Sequence, residues 1–94
     1  MSVLVMIRFP VPFSTVVDWA ANNSEKLAPI EALFKKHGRI SQRVVGGTDY
    51  FIDLDEWPSR AAYAAFKAEA GPHIMAFETA FGHASTDQVM DILV

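Results

Sequence analysis

The stretch from Val3 to Phe9 alternates with a period of two, yet both of its faces are apolar. Val3, Val5, Ile7 and Phe9 fall on one side, and Leu4, Met6 and Arg8 on the other. Such a strand needs cover on both sides, so it belongs at the centre of a sheet. Pro10 and Pro12 end it, because neither can donate to a strand ladder. The 94 residues make one domain, spanning 1–94, and a domain this small hides only about two thirds of its unfolded surface. With 51% of its residues hydrophobic, at the high end for a soluble domain, one copy carries more apolar strand than it can cover. A second copy is the expected partner.

The rest of the chain supplies short, closely joined elements. Ser14 or Thr15 caps a helix that runs to about His37, with Val16, Ala20, Asn23, Leu27, Ile30 and Phe34 on one stripe. Asn22, Asn23, Ser24 and Pro29 either bend it or divide it in two with a restart near Ser24. Gly38 is the expected left-handed terminator. Arg39 to Val45 and Asp49 to Trp57 read as strands, joined through Gly46, Gly47 and Thr48 in a tight hairpin with positive backbone angles. In the second of these strands, Tyr50, Ile52 and Leu54 are expected to face the core, and Phe51, Asp53, Asp55 and Trp57 the wetter side. Ser59 caps another helix whose stripe holds Tyr63, Phe66 and Ala70. Gly71 and Pro72 are expected to break it before Ile74, Phe77 and Phe81 resume the apolar face, and Gly82 stops it. Ser85 to Val94 reads as a final strand.

The order β-α-β-β-α-β is satisfied by an α+β, ferredoxin-like fold: a four-stranded antiparallel sheet with two helices on one face and right-handed crossovers. Leu4, Met6, Val45, Phe51, Val89 and Leu93 would then lie on the uncovered face, among Arg8, Arg43, Asp53 and Asp91. That face is too apolar for open water. Two sheets packed face to face would bury it and let the opposite charges pair, whereas full exposure is the structural alternative.

Several function classes are excluded or disfavoured. The net charge is −3 and the basic residues are scattered, so nucleic acid is not an expected ligand. The absence of cysteine removes disulfides, thiolate metal sites and a cysteine nucleophile. No apolar run is long enough to span a membrane and the start carries no leader pattern, so a soluble cytoplasmic protein is expected. His37, His73 and His83 lack metal-ligand spacing, and neither a Ser-His-Asp set nor a phosphate or dinucleotide loop is present. No metal or other cofactor is therefore expected.

The segments DEWPSRAAYAAF at 55–66 and GPHIMAF at 71–77, with the element order, resemble the dimeric α+β barrel superfamily and, within it, the antibiotic-biosynthesis-monooxygenase-like group. The resemblance implies a homodimer whose two sheets form a barrel. It also implies a pocket in each subunit between sheet and helices. Some members oxygenate polycyclic phenols or quinols with no metal or flavin, the deprotonated substrate itself reducing dioxygen. Haem-degrading members use an asparagine near the end of the first strand and a helix tryptophan. Here those places hold Ile7-Arg8-Phe9 and Phe66, which speaks against haem degradation.

On this resemblance His73, in the 71–77 segment beside an apolar helix face, is the candidate catalytic base, since imidazole can take a phenolic proton near neutrality. The plainer reading is a histidine facing solvent. Trp57, Tyr63, Phe66, Phe77 and Trp19 are candidate walls for a flat aromatic or apolar ligand, although aromatic residues at helical spacing are more often core. Asp53 and Asp55 alternate on one strand face. Paired carboxylates can do acid–base work, but here they are read as partners for Arg8 and Arg43, with Asp87 and Asp91 read likewise. The expected function is a cofactor-independent monooxygenase-like protein, or a related isomerase, acting on a small aromatic or enolisable compound. The alternative is a non-catalytic homodimer that binds a small ligand or serves in assembly.

Overall fold

The computed structural model describes all 94 residues. Its strands are β1 (Val3–Phe9), β2 (Ser41–Gly46), β3 (Phe51–Trp57) and β4 (Thr86–Asp91), and its helices α1 (Phe13–Ala20), α2 (Ser24–Lys36) and α3 (Arg60–Phe81). The strands form a single sheet in the order β2-β3-β1-β4, antiparallel throughout. The expected α+β, ferredoxin-like arrangement is present, with the doubly apolar β1 at the centre of the sheet. No helix is long and apolar enough to cross a membrane.

The first helical region is two helices. α1 ends at Ala20, and Asn23 Nδ2 donates to the Trp19 carbonyl at 2.8 Å, joining the Asn22 N–H at 3.2 Å on the same oxygen. Helix α1 starts at Phe13 with Pro12 at its cap, not at Ser14 or Thr15, and it buries no residue. Pro29 lies within α2, where buried Ile30 and Leu33 hold the helix on the core despite the missing backbone bond. Gly38 follows the helix with φ +81°, as a left-handed terminator requires.

The expected break at Gly71 and Pro72 does not occur: α3 runs unbroken from Arg60 to Phe81. Tyr63, Phe66 and Ala70 before the proline and Phe77 and Phe81 after it all lie in one buried stripe. Keeping that stripe in phase outweighs the cost of an interior proline, about 3 kcal/mol. The Ser59 hydroxyl accepts from the Ala62 N–H at 3.0 Å, capping the helix, and Gly82 at φ +86° ends it. Helix α2 is tied to α3 by Lys36 Nζ and His37 Nε2, which meet Glu69 Oε1 at 2.8 and 2.9 Å.

The β2–β3 hairpin uses glycine for space and not for positive φ, which is confined to Gly38 and Gly82. A Cβ on Gly46 would lie 2.7 Å from the Tyr50 carbonyl oxygen, and one on Gly47 2.7 Å from the Tyr50 ring.

The two faces of β3 are reversed relative to expectation. Val3 pairs with Trp57, Val5 with Asp55, Ile7 with Asp53 and Phe9 with Phe51, so all of these face the helices. Phe51, Asp55 and Trp57 are buried. Ile52 and Leu54 lie on the open face with Leu4, Met6, Arg8, Arg43, Val45 and Met90. Phe51, Asp53, Val89 and Asp91 therefore leave the open face on which they were expected. The cause is volume: Trp57 and Phe51 share a parity with the two aspartates, and burying two large rings decides which side turns inward.

Candidate functional site

Between the sheet and the helices lies a cleft of about 970 Å³, a size ordinary for a small-molecule site. Its walls are mainly apolar, with the rings of Phe9, Phe34, Phe51, Tyr63, Phe66 and Phe77 among them. Helices α1 and α2 close one side through Phe13, Val16, Leu27 and Ile30, and Gln42 and Val44 on the edge strand β2 frame another. The alternation that turns Phe9, Phe51 and Trp57 inward also carries Asp53 and Asp55 to this side of the sheet.

Two groups of polar side chains interrupt the apolar wall. The first is built on β3. Asp53 borders the cleft and accepts from Gln42 Nε2 at 3.0 Å. Asp55 lies behind it with 0% exposure. Its Oδ1 faces Arg39 Nη1 at 3.5 Å, at the outer limit of a hydrogen bond, and its Oδ2 has no partner. Burial, followed by the negative charge of neighbouring Asp53, pushes the Asp55 carboxyl up to about 8, and Arg39 pulls the other way. Asp55 therefore holds a proton at neutral pH. The guanidinium of Arg39 also stacks over the Phe34 ring at 3.7 Å, which fixes it at the edge of the cleft.

The second group joins α3 to β4. The Tyr63 hydroxyl donates to Asp87 Oδ2 at 2.6 Å, and Lys67 Nζ donates to the same oxygen at 3.0 Å. Burial and the Asp87 carboxylate hold the Tyr63 phenol protonated, well above the usual phenol range. The bond from Tyr63, helped by Lys67, holds Asp87 below the usual carboxylate range. Tyr63 can thus accept a hydrogen bond from a ligand while its own O–H stays directed at the Asp87 carboxylate. No three His, Asp or Glu side chains come together in a way that would hold a metal ion.

The sequence-based candidates divide in three. Tyr63, Phe66 and Phe77 border the cleft. Trp57 is fully buried behind the wall, packed on Phe34, Tyr63 and Phe66, and its indole Nε1 lacks a partner. Trp19 packs on Phe77 and Phe81 outside the cleft lining. His73 is exposed on α3 and does not reach the cleft. The unbroken helix turns Ala70, Ile74 and Phe77 toward the core, and that phase leaves His73 at the edge of the stripe, in solvent.

Sequence reasoning underrated Asp53 and Asp55 and missed Arg39 and Gln42. The expected partners Arg8 and Arg43 lie on the opposite sheet face, where Arg8 instead stacks over Tyr50 at 4.7 Å. Asp91 pairs with Arg60 at 3.0 Å, and Asp87 with Lys67 and Tyr63. A signal was present: Asp53 and Asp55 sit between Phe51 and Trp57 at the same parity, so an aromatic side facing inward takes the acids with it.

No protein-family model and no curated protein sequence matches the chain. Solved structures match over nearly its whole length. SnoaB, a cofactor-independent oxygenase from Streptomyces nogalater, superposes with a TM-score of 0.65 at 18% identity, over 99% of this chain and 94% of SnoaB. Rv0793 from Mycobacterium tuberculosis superposes at 0.63 and 17% identity, over 100% and 97% of the two chains. A Deinococcus radiodurans protein solved as a candidate antibiotic-biosynthesis monooxygenase does so at 0.66 and 14% identity, over 98% and 93%. This chain shares the fold of these solved structures over nearly the whole length of each.

Proposed function

We propose that the protein is a cofactor-independent oxygenase, or a related isomerase, acting on a small flat aromatic or enolisable compound held between sheet and helices. The observation that carries this reading is the cleft itself: aromatic walls with hydrogen-bonding groups at Asp53 and Gln42 and at Tyr63. Aromatic walls favour a flat ring system, and the polar groups orient its oxygens. Loss of a hydroxyl proton enriches the ring in electrons, and the substrate then supplies the electrons that reduce dioxygen. The fold shared with SnoaB supports the oxygenase class. The proton acceptor is sought among the cleft residues and not at His73, which is exposed.

The working unit is a homodimer joined through the open sheet faces. Leu4, Met6, Ile52, Leu54 and Met90 on that face support it, since none is covered by a helix of the same chain. Dioxygen uptake with a panel of hydroquinones and naphthols tests the activity. Saturable uptake without added metal or flavin is expected, unchanged in His73→Ala. No uptake from any member would end the enzyme reading. Sedimentation at micromolar concentration tests the assembly, and a stable monomer would remove it. The exposure of His73 favours one second reading, a non-catalytic dimer that binds a small apolar ligand in the same cleft.

A further inference from the structure

We infer that Asp53 is the proton-transfer group of the cleft, and that Asp55, sealed behind it, carries the one proton that the pair retains. The inference deepens the proposed function, because it names the group that would move a proton on an enolisable or phenolic substrate.

A buried carboxyl stands behind the cleft wall with one oxygen unpartnered. Asp55 is the only polar or charged side chain in the buried set, with 0% exposure. A carboxyl taken out of water needs a close partner or a proton. Its one cationic partner, Arg39, is 3.5 Å away and shares its guanidinium with the Phe34 ring. Its second oxygen is unpartnered. An apolar residue would pack the same place without that penalty.

The surroundings leave Asp53 as the route by which a proton can pass between Asp55 and the cleft. On β1 the residues opposite are apolar, Val5 across from Asp55 and Ile7 across from Asp53. On β2 they are neutral, Gln42 across from Asp55 and Val44 across from Asp53. The charged or titratable groups nearby are Arg39 before β2 and Tyr63 on α3, whose own hydroxyl is bound to Asp87 on β4. Asp53 stands on the same strand face as Asp55 and borders the cleft, positioned by Gln42. The negative charge of Asp53 adds to the burial that keeps the proton on Asp55 at neutral pH. When that proton leaves, the added negative charge favours drawing a proton out of the cleft toward the pair.

In the reaction a C–H bond next to a carbonyl breaks. The proton goes to an Asp53 oxygen, and the electron pair is delocalised onto the carbonyl oxygen as an enolate. A proton returned from the pair to the same or a conjugated carbon restores the ketone, so no oxidant or reductant is consumed. Asp53 is the catalytic residue and Asp55 a positioning residue that acts through it.

Exchange of the acidic C–H protons of 2-tetralone in D2O, followed by NMR under argon, tests this without dioxygen. The wild-type protein is expected to exchange them faster than buffer, with a rate that rises through about pH 8 and then levels. Asp53→Asn is expected to lose about 100-fold while still broadening the tetralone signals on binding. Asp55→Asn is expected to keep exchanging but to lose the rise near pH 8. Exchange no faster than buffer, an unaffected Asp53→Asn, or a wild-type profile in Asp55→Asn would each overturn the inference. Should the variants not fold, ¹³C carboxyl titration of the wild-type protein decides. An Asp55 signal that moves near pH 8 supports it, and one that moves only below about pH 5 overturns it. Exchange without dioxygen uptake leaves Asp53 standing and removes the oxygenase; uptake without exchange does the reverse.

Discussion

The two faces of the one sheet obey opposite rules. The helix-covered face holds the largest rings, Phe51 and Trp57, and with them four carboxylates, Asp53, Asp55, Asp87 and Asp91. The open face holds aliphatic and methionine side chains, with Arg8, Arg43 and Glu56 among them. Polarity alone would have sorted them the other way. The difference teaches that bulk sets the facing of a strand first, and that charges sharing a parity with bulk are carried inside. A carboxylate stranded there is costly to the fold, and such groups mark places where chemistry rather than stability is served.

The comparison is tested most severely by removing bulk from the covered face. Trp57→Ala or Phe66→Ala is expected to cost about 3–5 kcal/mol in urea unfolding, because both are buried in one aromatic stack. Trp57→Phe is expected to cost less than about 1.5 kcal/mol, since it also removes an indole N–H that has no partner. A large loss in Trp57→Phe would mean that the N–H is satisfied after all.

Next in size is the response to pH. Asp55 goes from an ordinary 3.8 to about 8 on folding. A raised value means that the folded state holds the proton more tightly. Its contribution is therefore complete below about pH 4 and is lost as pH rises to about 8. The slope from this group is on the order of 1.4 kcal/mol per pH unit between those values. Urea midpoints measured from pH 5 to 9 are expected to fall, and Asp55→Asn to flatten the curve. A flat wild-type curve would place Asp55 in contact with water.

On the open face the expected effects on the subunit are small. Leu54→Glu is expected to change the unfolding free energy of the subunit by about 1 kcal/mol or less while shifting sedimentation from dimer toward monomer. Arg43→Ala, exposed on edge strand β2, is expected to stay within about 0.5 kcal/mol. If these variants matched the covered-face losses, the two faces would not differ as described.

Most of the architecture was legible because it rests on local signals. Ser59, Gly38 and Gly82 act where a cap or a left-handed terminator is required. The stripe through Tyr63, Phe66, Ala70, Phe77 and Phe81 follows from helical spacing. The errors share one origin. The break at Pro72 was inferred from a local rule that the long buried stripe overrides. The orientation of β3 was inferred from charge, and pairing with β1 decided it by volume. Both reach the candidate site: His73 stands in solvent, Asp53 borders the cleft, and Asp55 lies behind it.

Periodicity and the order of elements are properties of neighbouring residues, so the chain by itself determined its fold class and the central position of β1. Which face of β3 turns inward, and which of its acids meets Arg39 or the cleft, depends on side chains brought together from distant parts of the chain. Only packing decided that, because the free energy of burying rings between sheet and helices outweighs the local preference of an aspartate for water.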